Sequence, residues 1–279
     1  MKKLCDLHTH STFSDGTFTP EEIIEAAIRS NLSAIALCDH NTVDGIPRFL
    51  NAAKGKQIDA VAGCEFSVDF EGTELHMLGL FIPEIYLNDV SSLMTEINQR
   101  KELSNIELVN SLSKIGITLN YDEIKNATPT GKVNRAHIAA SLTEKGYTKS
   151  VKEAFASLLS PAAGHYKEPK RLTVWEIIDF IVSIKATPVL AHPFLNLSSH
   201  QLEAFLPKAK ECGVVGMECL YSLYDEPTTL SALDLTKRFG LKPSGGSDFH
   251  GAIKPDIKLG IGKGNLTIPY EWYLNLKNN

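Results

Sequence analysis

Short apolar runs alternate with helical patterns in the first part of the chain. Leu4–Leu7 is predicted to be a buried strand, and Ala34–Cys38 and Ala60–Cys64 repeat the pattern. Between the first two runs, Thr19-Pro20-Glu21-Glu22 predicts a helix start, because Thr caps helices, Pro favours the first helical position and Glu completes a capping box. Strands alternating with helices are typical of βαβ units and predict a parallel sheet.

The pattern changes after the third run, which is predicted to end near Glu65. Residues 66–70 alternate, Gly72 marks a turn, and an extended pattern resumes at 74–80. These features predict a hairpin, which would bring Glu65 and His76 close together. The sequence leaves open whether the returning strand joins its neighbours parallel or antiparallel.

Helical spacing dominates residues 88–159, with patterns over 93–112, 121–127, 134–145 and 151–159. Beyond this stretch, Thr173 and Glu176 again form a capping box, and further strands are predicted to lead to His192, Cys219 and Ser247. The count of strands is seven. We therefore predict an α/β fold, a distorted (β/α)7 barrel formed by 1–87 and 160–279, with an all-helical insertion, or lid, at 88–159.

Composition narrows the possible functions. The chain has 279 residues, 43% of them hydrophobic and 22% charged, which is enough for one barrel-sized core with an appendage. The net charge of -5 argues against capture of long nucleic acid by bulk charge. Five cysteines without Cys-x-x-Cys spacing predict free thiols and a cytoplasmic location, and the absence of a long apolar run predicts no membrane span. The oligomeric state is not determined by the sequence.

Histidines and carboxylates gather where the apolar runs end. His8 and His10 leave the first strand on one face, so that they can bind one ion together, and Asp15 follows in a turn. Other candidate ligands follow or begin further strands, and the nine candidates together are His8, His10, Asp15, His40, Glu65, His76, His192, Asp248 and His250. Buried imidazoles and carboxylates need partners, and a cation is a partner they can share. This pattern predicts one metal centre.

Asp6 and Asp39 lie next to these candidates. Asp39 is interpreted as a carboxylate that could fix the tautomer of a ligand imidazole, with a role unrelated to the metals as the equal alternative. For Asp6, a local bond to the backbone is the preferred interpretation. The small residues Ser244-Gly245-Gly246 are expected to let the last strand pass close to the metals.

In combination these motifs resemble the PHP (polymerase and histidinol phosphatase) family of metal-dependent phosphoesterases, in its branch of nucleotide phosphatases and short-oligonucleotide exonucleases. The motifs are Asp6-Leu7-His8-Thr9-His10-Ser11, Ser14-Asp15-Gly16, Asp39-His40, Gly63-Cys64-Glu65, His76, Ala191-His192-Pro193 and Gly246-Ser247-Asp248-Phe249-His250. The resemblance implies two to three divalent ions, Mn²⁺, Zn²⁺ or Fe²⁺, in three ligand sets. These sets are His8, His10, Glu65 and Asp248; Asp15, His40 and His250; and Glu65, His76 and His192.

A further motif lies inside the helical insertion. Arg135 and His137 stand two residues apart at a predicted helix start, with Asn134 as its cap, and could present a guanidinium and backbone N–H groups to a phosphate. The segment resembles the Gly-Arg-Pro-His segment of nucleotide-cleaving PHP phosphatases, with Asn134 and Ala136 in place of Gly and Pro. The resemblance implies that Arg135 and His137 bind the substrate and take part in catalysis.

The resemblance implies a metal-dependent phosphoric ester hydrolase acting on a small phosphorylated substrate. The expected substrate is a mononucleotide, a 3′,5′-bisphosphate nucleotide or the 5′ end of a short oligonucleotide, attacked by a metal-bridging hydroxide. A metal-bound water, His137 or His192 could protonate the leaving oxygen. The alternatives are a phosphatase of another metabolite, such as histidinol phosphate, and a PHP module that binds without catalysis.

Overall fold

The computed structural model describes residues 3–128, 133–169 and 171–279, which divide into two compact units. The barrel unit comprises Met1–Ser92 and Leu172–Asn279, and the helical unit comprises Leu93–Arg171. The sequence places the corresponding boundaries at residues 88 and 159. The sequence-based role of the helical unit as a lid stays a prediction.

Seven strands within the described residues form one sheet, and they neighbour one another in chain order. They are β1 Leu4–Thr9, β2 Leu32–Leu37, β3 Asp59–Phe70, β4 Thr73–Leu80, β5 Thr187–Ala191, β6 Gly216–Tyr221 and β7 Lys242–Gly246. Strand β4 pairs antiparallel with both β3 and β5, and the other neighbours pair in parallel. This antiparallel strand is the distortion in an otherwise parallel barrel.

The sheet closes where the chain leaves β7 beside β1. The N–H of Asp248 donates to the carbonyl of His8, and the N–H of His10 donates to the carbonyl of Phe249, both over 2.9 Å. A Cβ added to Gly246 would lie 2.2 Å from the Cβ of His8, so only glycine allows this approach. The predicted (β/α)7 barrel is confirmed. The small residue at Gly246 allows the close approach of β7 to β1, whereas the expected approach of the last strand to the metals stays a prediction.

The prediction that the third strand ends near Glu65 is wrong. Strand β3 pairs with β2 only as far as Ala62, then continues to Phe70 as one arm of a hairpin with β4. Because β4 returns antiparallel along the whole arm, it supplies the ladder hydrogen bonds that let β3 continue. Glu65 and His76 therefore lie inside strands, and the predicted hairpin brings them together.

Helices flank the barrel strands along the chain. In the barrel unit they are α1 Pro20–Arg29, α2 Ile46–Ala53, α7 Val174–Ser183, α8 Ser199–Glu211, α9 Glu226–Arg238 and α10 Tyr270–Lys277. Both predicted capping boxes, Thr19 with Glu22 and Thr173 with Glu176, are confirmed. The C-terminal segment packs where β1 begins, since the N–H of Cys5 donates to the carbonyl of Ile268.

The helical unit has its own core. The helices are α3 Leu87–Ser113, which begins in the barrel unit, α4 Tyr121–Ala127, α5 Arg135–Glu144 and α6 Val151–Ala156. Leu108, Leu112, Ile138 and Leu142 are fully buried in one apolar cluster. Fully buried apolar side chains of this size each favour folding by about 2 kcal/mol. None of the helices in the described ranges is long and apolar enough to cross a membrane.

Candidate active site and metal centre

The barrel brings all nine candidate ligands into one cluster. His8 and His10 come from the end of β1, His40 follows β2, Glu65 and His76 lie in the β3–β4 hairpin, His192 follows β5, Asp248 and His250 follow β7, and Asp15 projects from the loop after β1. Residues that are far apart in sequence therefore face one another. Of the other histidines among the described residues, His200 lies on α8 and joins none of the ligand groups, and His137 and His165 belong to the helical unit.

Glu65 stands at the middle of the cluster and is fully buried. Its Oε1 atom lies 2.7 Å from Nδ1 of His76 and 3.0 Å from Nε2 of His192. These two imidazoles come from the strands that follow β3 in the sheet. One oxygen of Glu65 thus faces the β4 and β5 side of the barrel.

The other oxygen, Oε2, faces three imidazoles at once. It lies 3.2 Å from Nε2 of His8, 3.3 Å from Nε2 of His10 and 3.0 Å from Nδ1 of His40. In spite of these short distances, Oε2 accepts no hydrogen bond of acceptable geometry, and Nδ1 of His10 and Nδ1 of His40 are also buried without one. Ring nitrogens and a carboxylate oxygen that converge in this way fit the donor set of a divalent cation.

Asp248 presents one oxygen to the cluster and anchors the other outside it. Oδ1 lies 3.1 Å from Nε2 of His10 and 3.5 Å from Nδ1 of His250. Oδ2 accepts hydrogen bonds from the Tyr221 hydroxyl at 2.9 Å and from the Lys254 ammonium at 2.7 Å. Because Oδ2 is occupied, Oδ1 is held facing the cluster.

Asp15 is the accessible member of the set. Its carboxylate, 52% exposed, lies 3.3 Å from Nε2 of His250, 3.8 Å from Nε2 of His40 and 3.9 Å from Nδ1 of His10. The cluster therefore runs from a fully buried carboxylate, Glu65, to a half-exposed one. A small ligand could approach from the Asp15 side.

Among the residues that the structure describes, four overlapping groups each place one candidate ligand atom per residue within 4.8 Å of the others. These groups are His8, His10, Glu65 and Asp248; His10, Asp15, His40 and His250; His40, Glu65 and His76; and His8, His192 and Glu218. The first group is identical to one of the ligand sets that the family resemblance implies. The second group is the implied set of Asp15, His40 and His250 with His10 added. The mixed imidazole and carboxylate donors suit Zn²⁺, Mn²⁺ and Fe²⁺.

Glu218 is a member of this site that the sequence analysis missed. It lies on β6, is fully buried, and contacts His8 and His192. The available signal was a single acidic residue inside the apolar run 214–219. A carboxylate in such a run needs buried partners, although the run itself does not identify them.

Asp39 and Asp6 support the backbone around the ligands. Asp39 accepts hydrogen bonds from the N–H and hydroxyl of Ser11 at 2.7 and 2.6 Å and from the hydroxyl of Ser14 at 2.6 Å, so it shapes the loop that leads to Asp15. The sequence analysis considered a bond from Asp39 to a ligand imidazole, but the Asp39 oxygens accept hydrogen bonds from these serines instead. Asp6 accepts from the N–H and hydroxyl of Ser247 at 2.8 and 2.6 Å, which are contacts across 241 positions of sequence instead of the local bond that was preferred. The local bond is present as a longer contact of 3.4 Å from the N–H of His8.

Burial and neighbouring charges shift the pKa values of the clustered side chains in opposite directions. Burial alone would raise the pKa of the Glu65 carboxyl, but the imidazoles of His8, His40 and His76 hold that pKa well below its usual value. Conversely, burial would lower the pKa of His76, yet Glu65 raises it from 6.5 to about 9. The pKa values of His8 and His40 also lie above the usual value, chiefly because Glu65 outweighs their burial.

These shifts give a pH prediction for the metal-free protein. A histidine whose pKa rises on folding stabilises the fold fully below its unfolded pKa and loses that contribution as the pH passes its folded pKa. We expect the free energy of unfolding of chelator-treated protein to fall between pH 6.5 and about 9, the window set by His76. The Glu65 carboxyl contributes little to this slope, because it is ionised in both states there.

Urea unfolding at several pH values measures this slope. With divalent ions present the opposite trend is expected, because ions compete with protons for the same imidazoles and bind more tightly as the pH rises. Identical slopes with and without ions would contradict the prediction.

In the helical unit, Arg135 and His137 lie on the first turn of α5. The N–H of His137 donates to Oδ1 of Asn134, and the N–H of Asn134 donates to Nδ1 of His137, both over 3.1 Å. This capping box confirms Asn134 as the cap. Because Nδ1 of His137 accepts the hydrogen bond from the Asn134 N–H, the ring's own N–H lies on Nε2, which is a donor.

Arg135 is held by aromatic rings of the same unit. Its guanidinium carbon lies 4.3 Å from the centre of the Tyr166 ring and 6.0 Å from that of Phe155. Such stacking orients the planar guanidinium while leaving its N–H edge able to bind an anion. A cavity of about 660 Å³ adjoins His137 and is lined in part by Ile124, Thr128, Ser141 and Lys145.

Comparison with known proteins places this geometry in a family. Residues 6–181 match the PHP domain family. A 5′-3′ exoribonuclease of Haemophilus influenzae is 30% identical over 251 residues, covering 90% of this chain and 91% of that protein. A 3′,5′-nucleoside bisphosphate phosphatase of Chromobacterium violaceum is 28% identical over 250 residues, with 88% and 86% covered.

A third relative and a solved structure extend the comparison. The phosphoribosyl 1,2-cyclic phosphate 1,2-diphosphodiesterase of Eggerthella lenta is 27% identical over 253 residues, covering 88% of this chain and 94% of that one. A Bifidobacterium adolescentis structure described as a metal-dependent phosphoesterase superposes with a TM-score of 0.70 at 25% identity, covering 98% and 95%. The chain therefore belongs to the PHP family and is a metal-dependent phosphoesterase, in agreement with its motifs and its cluster of imidazoles and carboxylates.

Proposed function

We propose that this phosphoesterase hydrolyses nucleotide phosphate esters, with a 3′,5′-bisphosphate nucleotide or the 5′ end of a short oligonucleotide as substrate. The observation that carries the proposal is the convergence of three imidazole nitrogens on Oε2 of Glu65 without a hydrogen bond. The nucleotide part rests on two relatives whose names state ribonucleic acid and nucleoside bisphosphate substrates.

We assign two or three divalent ions, Mn²⁺, Zn²⁺ or Fe²⁺, to the nine clustered side chains. The proposed sets are His8, His10, Glu65 and Asp248; Asp15, His40 and His250; and Glu65, His76 and His192. The two oxygens of Glu65 face different imidazoles, which supports its role as the shared ligand. Bound ions would lower the pKa of water towards neutrality and neutralise the phosphoryl oxygens during in-line attack.

The protein's own groups hold this donor set in place. Tyr221 and Lys254 fix Asp248 through its outer oxygen, and Asp39 fixes the loop between His10 and Asp15. Preorganised donors need no rearrangement during the reaction, so their orientation contributes directly to the rate. The half-exposed Asp15 marks the side on which the substrate would enter.

Arg135 and His137 are the proposed phosphate-binding pair. The guanidinium of Arg135 offers paired N–H donors, and His137 offers Nε2–H while its Nδ1 is engaged by the Asn134 N–H. The neighbouring cavity of about 660 Å³ is within the size range of small-molecule sites and could hold a nucleoside. In catalysis His137 would donate the hydrogen bond of its Nε2–H to a phosphate or leaving oxygen and keep its proton, because its Nδ1 is engaged by the Asn134 N–H. Nε2 of His192 is engaged with Glu65.

The proposal is tested with a panel of phosphate esters in the presence of Mn²⁺. We expect phosphate release from adenosine 3′,5′-bisphosphate or mononucleotides from a 5′-phosphorylated RNA of about five residues, and little release from histidinol phosphate. Preferential hydrolysis of histidinol phosphate would support a metabolite phosphatase instead. No hydrolysis of any ester by protein that retains its ions would support a non-catalytic module.

Arg135→Ala is expected to lower kcat/KM for the nucleotide substrate by about 10- to 100-fold, since a charge-assisted hydrogen bond contributes about 1.5 to 3 kcal/mol. The ion content should not change, because Arg135 belongs to the helical unit's own stack with Tyr166. Steady-state kinetics and metal analysis measure the two effects. Arg100→Ala is the matched control, an arginine of α3 that pairs with Glu96. Equal kinetics for the two variants would contradict the assignment.

A further inference from the structure

Glu218 is the buried carboxylate of the cluster that lies outside the nine proposed ligands, and both of its oxygens are occupied. Oε1 lies 3.1 Å from Nδ1 of His8, and Oε2 accepts a hydrogen bond of 2.7 Å from the backbone N–H of His192. We propose that Glu218 is a positioning residue that orients His8 and His192 together towards the ions. This inference rests on the proposed metal centre and deepens it.

The first contact determines which nitrogen of His8 faces the cluster. An ionised carboxylate only accepts hydrogen bonds, so Nδ1 of His8 carries the proton that lies towards Glu218. The lone pair of a neutral His8 then lies on Nε2, which is 3.2 Å from Oε2 of Glu65 and 3.1 Å from Nε2 of His10. Glu218 thus aims a ligating nitrogen at the place where the other donors converge.

The second contact holds an unusual backbone. His192 has φ +27° and ψ 51°, a conformation that a residue with a side chain rarely adopts, and Pro193 restricts it further. Its N–H bond to Glu218 is buried, and losing it would leave an unsatisfied donor beside this strained residue. This backbone places Nε2 of His192 3.0 Å from Oε1 of Glu65.

The two contacts join two parts of the cluster through one side chain. His8 is on β1 and His192 follows β5, whereas Glu218 is on β6, which pairs with β5 and β7. His8, His192 and Glu218 also form a group in which candidate ligand atoms lie within 4.8 Å. We assign positioning to Glu218 instead of ligation because each of its oxygens already faces an N–H donor.

Glu218→Gln tests this role with little change of shape. The amide offers one oxygen where the carboxylate offers two, so either Nδ1 of His8 or the N–H of His192 loses its acceptor. We expect the affinity for one Zn²⁺ ion to fall by about 10- to 100-fold, the usual effect of removing such a partner of a ligand. Competition with a chromophoric chelator measures the affinity, and metal analysis counts the remaining ions.

Thr236→Val is the control for destabilisation near β6. It removes a buried hydroxyl that contacts Cys219, next to Glu218 in sequence, and it touches no candidate ligand. We expect its Zn²⁺ affinity to equal that of the wild type. A double variant with His8→Gln should show a smaller loss from Glu218→Gln than the single variant does, because one of the two contacts is already absent.

A measurement on the wild type keeps the inference testable even if Glu218→Gln does not fold. In the ¹⁵N spectrum of zinc-loaded protein, His8 should carry its proton on Nδ1 and bind through Nε2, with the signal assigned by its loss in His8→Gln. The reverse arrangement would overturn the inference. So would a Glu218 oxygen within about 2.2 Å of a zinc ion, the distance of a direct ligand.

The affinity measurement separates the two proposals. Unchanged Zn²⁺ affinity in Glu218→Gln, beside a wild type that binds ions, would overturn the role of Glu218 alone. Failure of the wild type to bind any divalent ion would overturn the metal centre and this inference together.

Discussion

Glu65→Gln is expected to lower kcat/KM by about a thousandfold or more and to reduce the number of bound ions. The substitution keeps the size of the side chain but removes the charge that faces five imidazoles, those of His8, His10, His40, His76 and His192. Metal ions stabilise the transition state by several kcal/mol, and about 4 kcal/mol corresponds to about a thousandfold in rate. Steady-state kinetics with metal analysis of the same sample measure both effects.

Glu71→Gln is the matched control, because Glu71 is an exposed glutamate at the turn of the same β3–β4 hairpin. It should retain the activity and ion content of the wild type. Glu65→Gln protein that keeps its full ion content and more than about a tenth of its activity would contradict a central, shared ligand.

Removal of divalent ions is the second large effect that we expect. Chelation should abolish hydrolysis while the barrel stays folded, because its core of apolar residues such as Leu7, Leu78 and Val189 does not depend on the ions. Readdition of Mn²⁺ should restore activity. Ions that bind only the native state stabilise it by about 2.7 kcal/mol at a hundredfold excess over Kd, so the Tm should rise by several degrees.

Activity and thermal unfolding are followed in parallel during an EDTA and Mn²⁺ cycle. The cycle uses the same preparation throughout, so that loss of protein cannot be mistaken for loss of ions. Full activity in protein shown by metal analysis to lack divalent ions would contradict the account. A Tm that is independent of ion concentration would contradict binding to the folded state.

The fold was predictable wherever local patterns carry the information. The capping boxes at Thr19 and Thr173 mark helix starts through contacts within four residues, and α4 occupies the predicted residues 121–127. The direction of β4 was left open, because alternation has the same period in parallel and antiparallel strands. The predicted end of β3 was wrong for a different reason, because the continuation of β3 beyond Ala62 depends on its pairing with β4.

The site shows the same division between local and distant information. Eight of the nine candidate ligands could be singled out because each lies in a predicted strand or near its end, and Asp15 could be singled out because it lies in the turn after His10. The roles of Glu218 and Asp39 could not be assigned in this way. Glu218 contacts His8 across 210 positions of sequence, and Asp39 contacts Ser11 across 28, so their partners emerge only when the barrel closes.

Anomalous diffraction from crystals loaded with Mn²⁺ or Zn²⁺ is the most direct test of the proposed metal centre. We expect two or three peaks among the nine clustered side chains, with both oxygens of Glu65 coordinated and neighbouring ions about 3.5 to 4 Å apart. Peaks elsewhere on the barrel, or no peak in the cluster at saturating ion concentration, would contradict it.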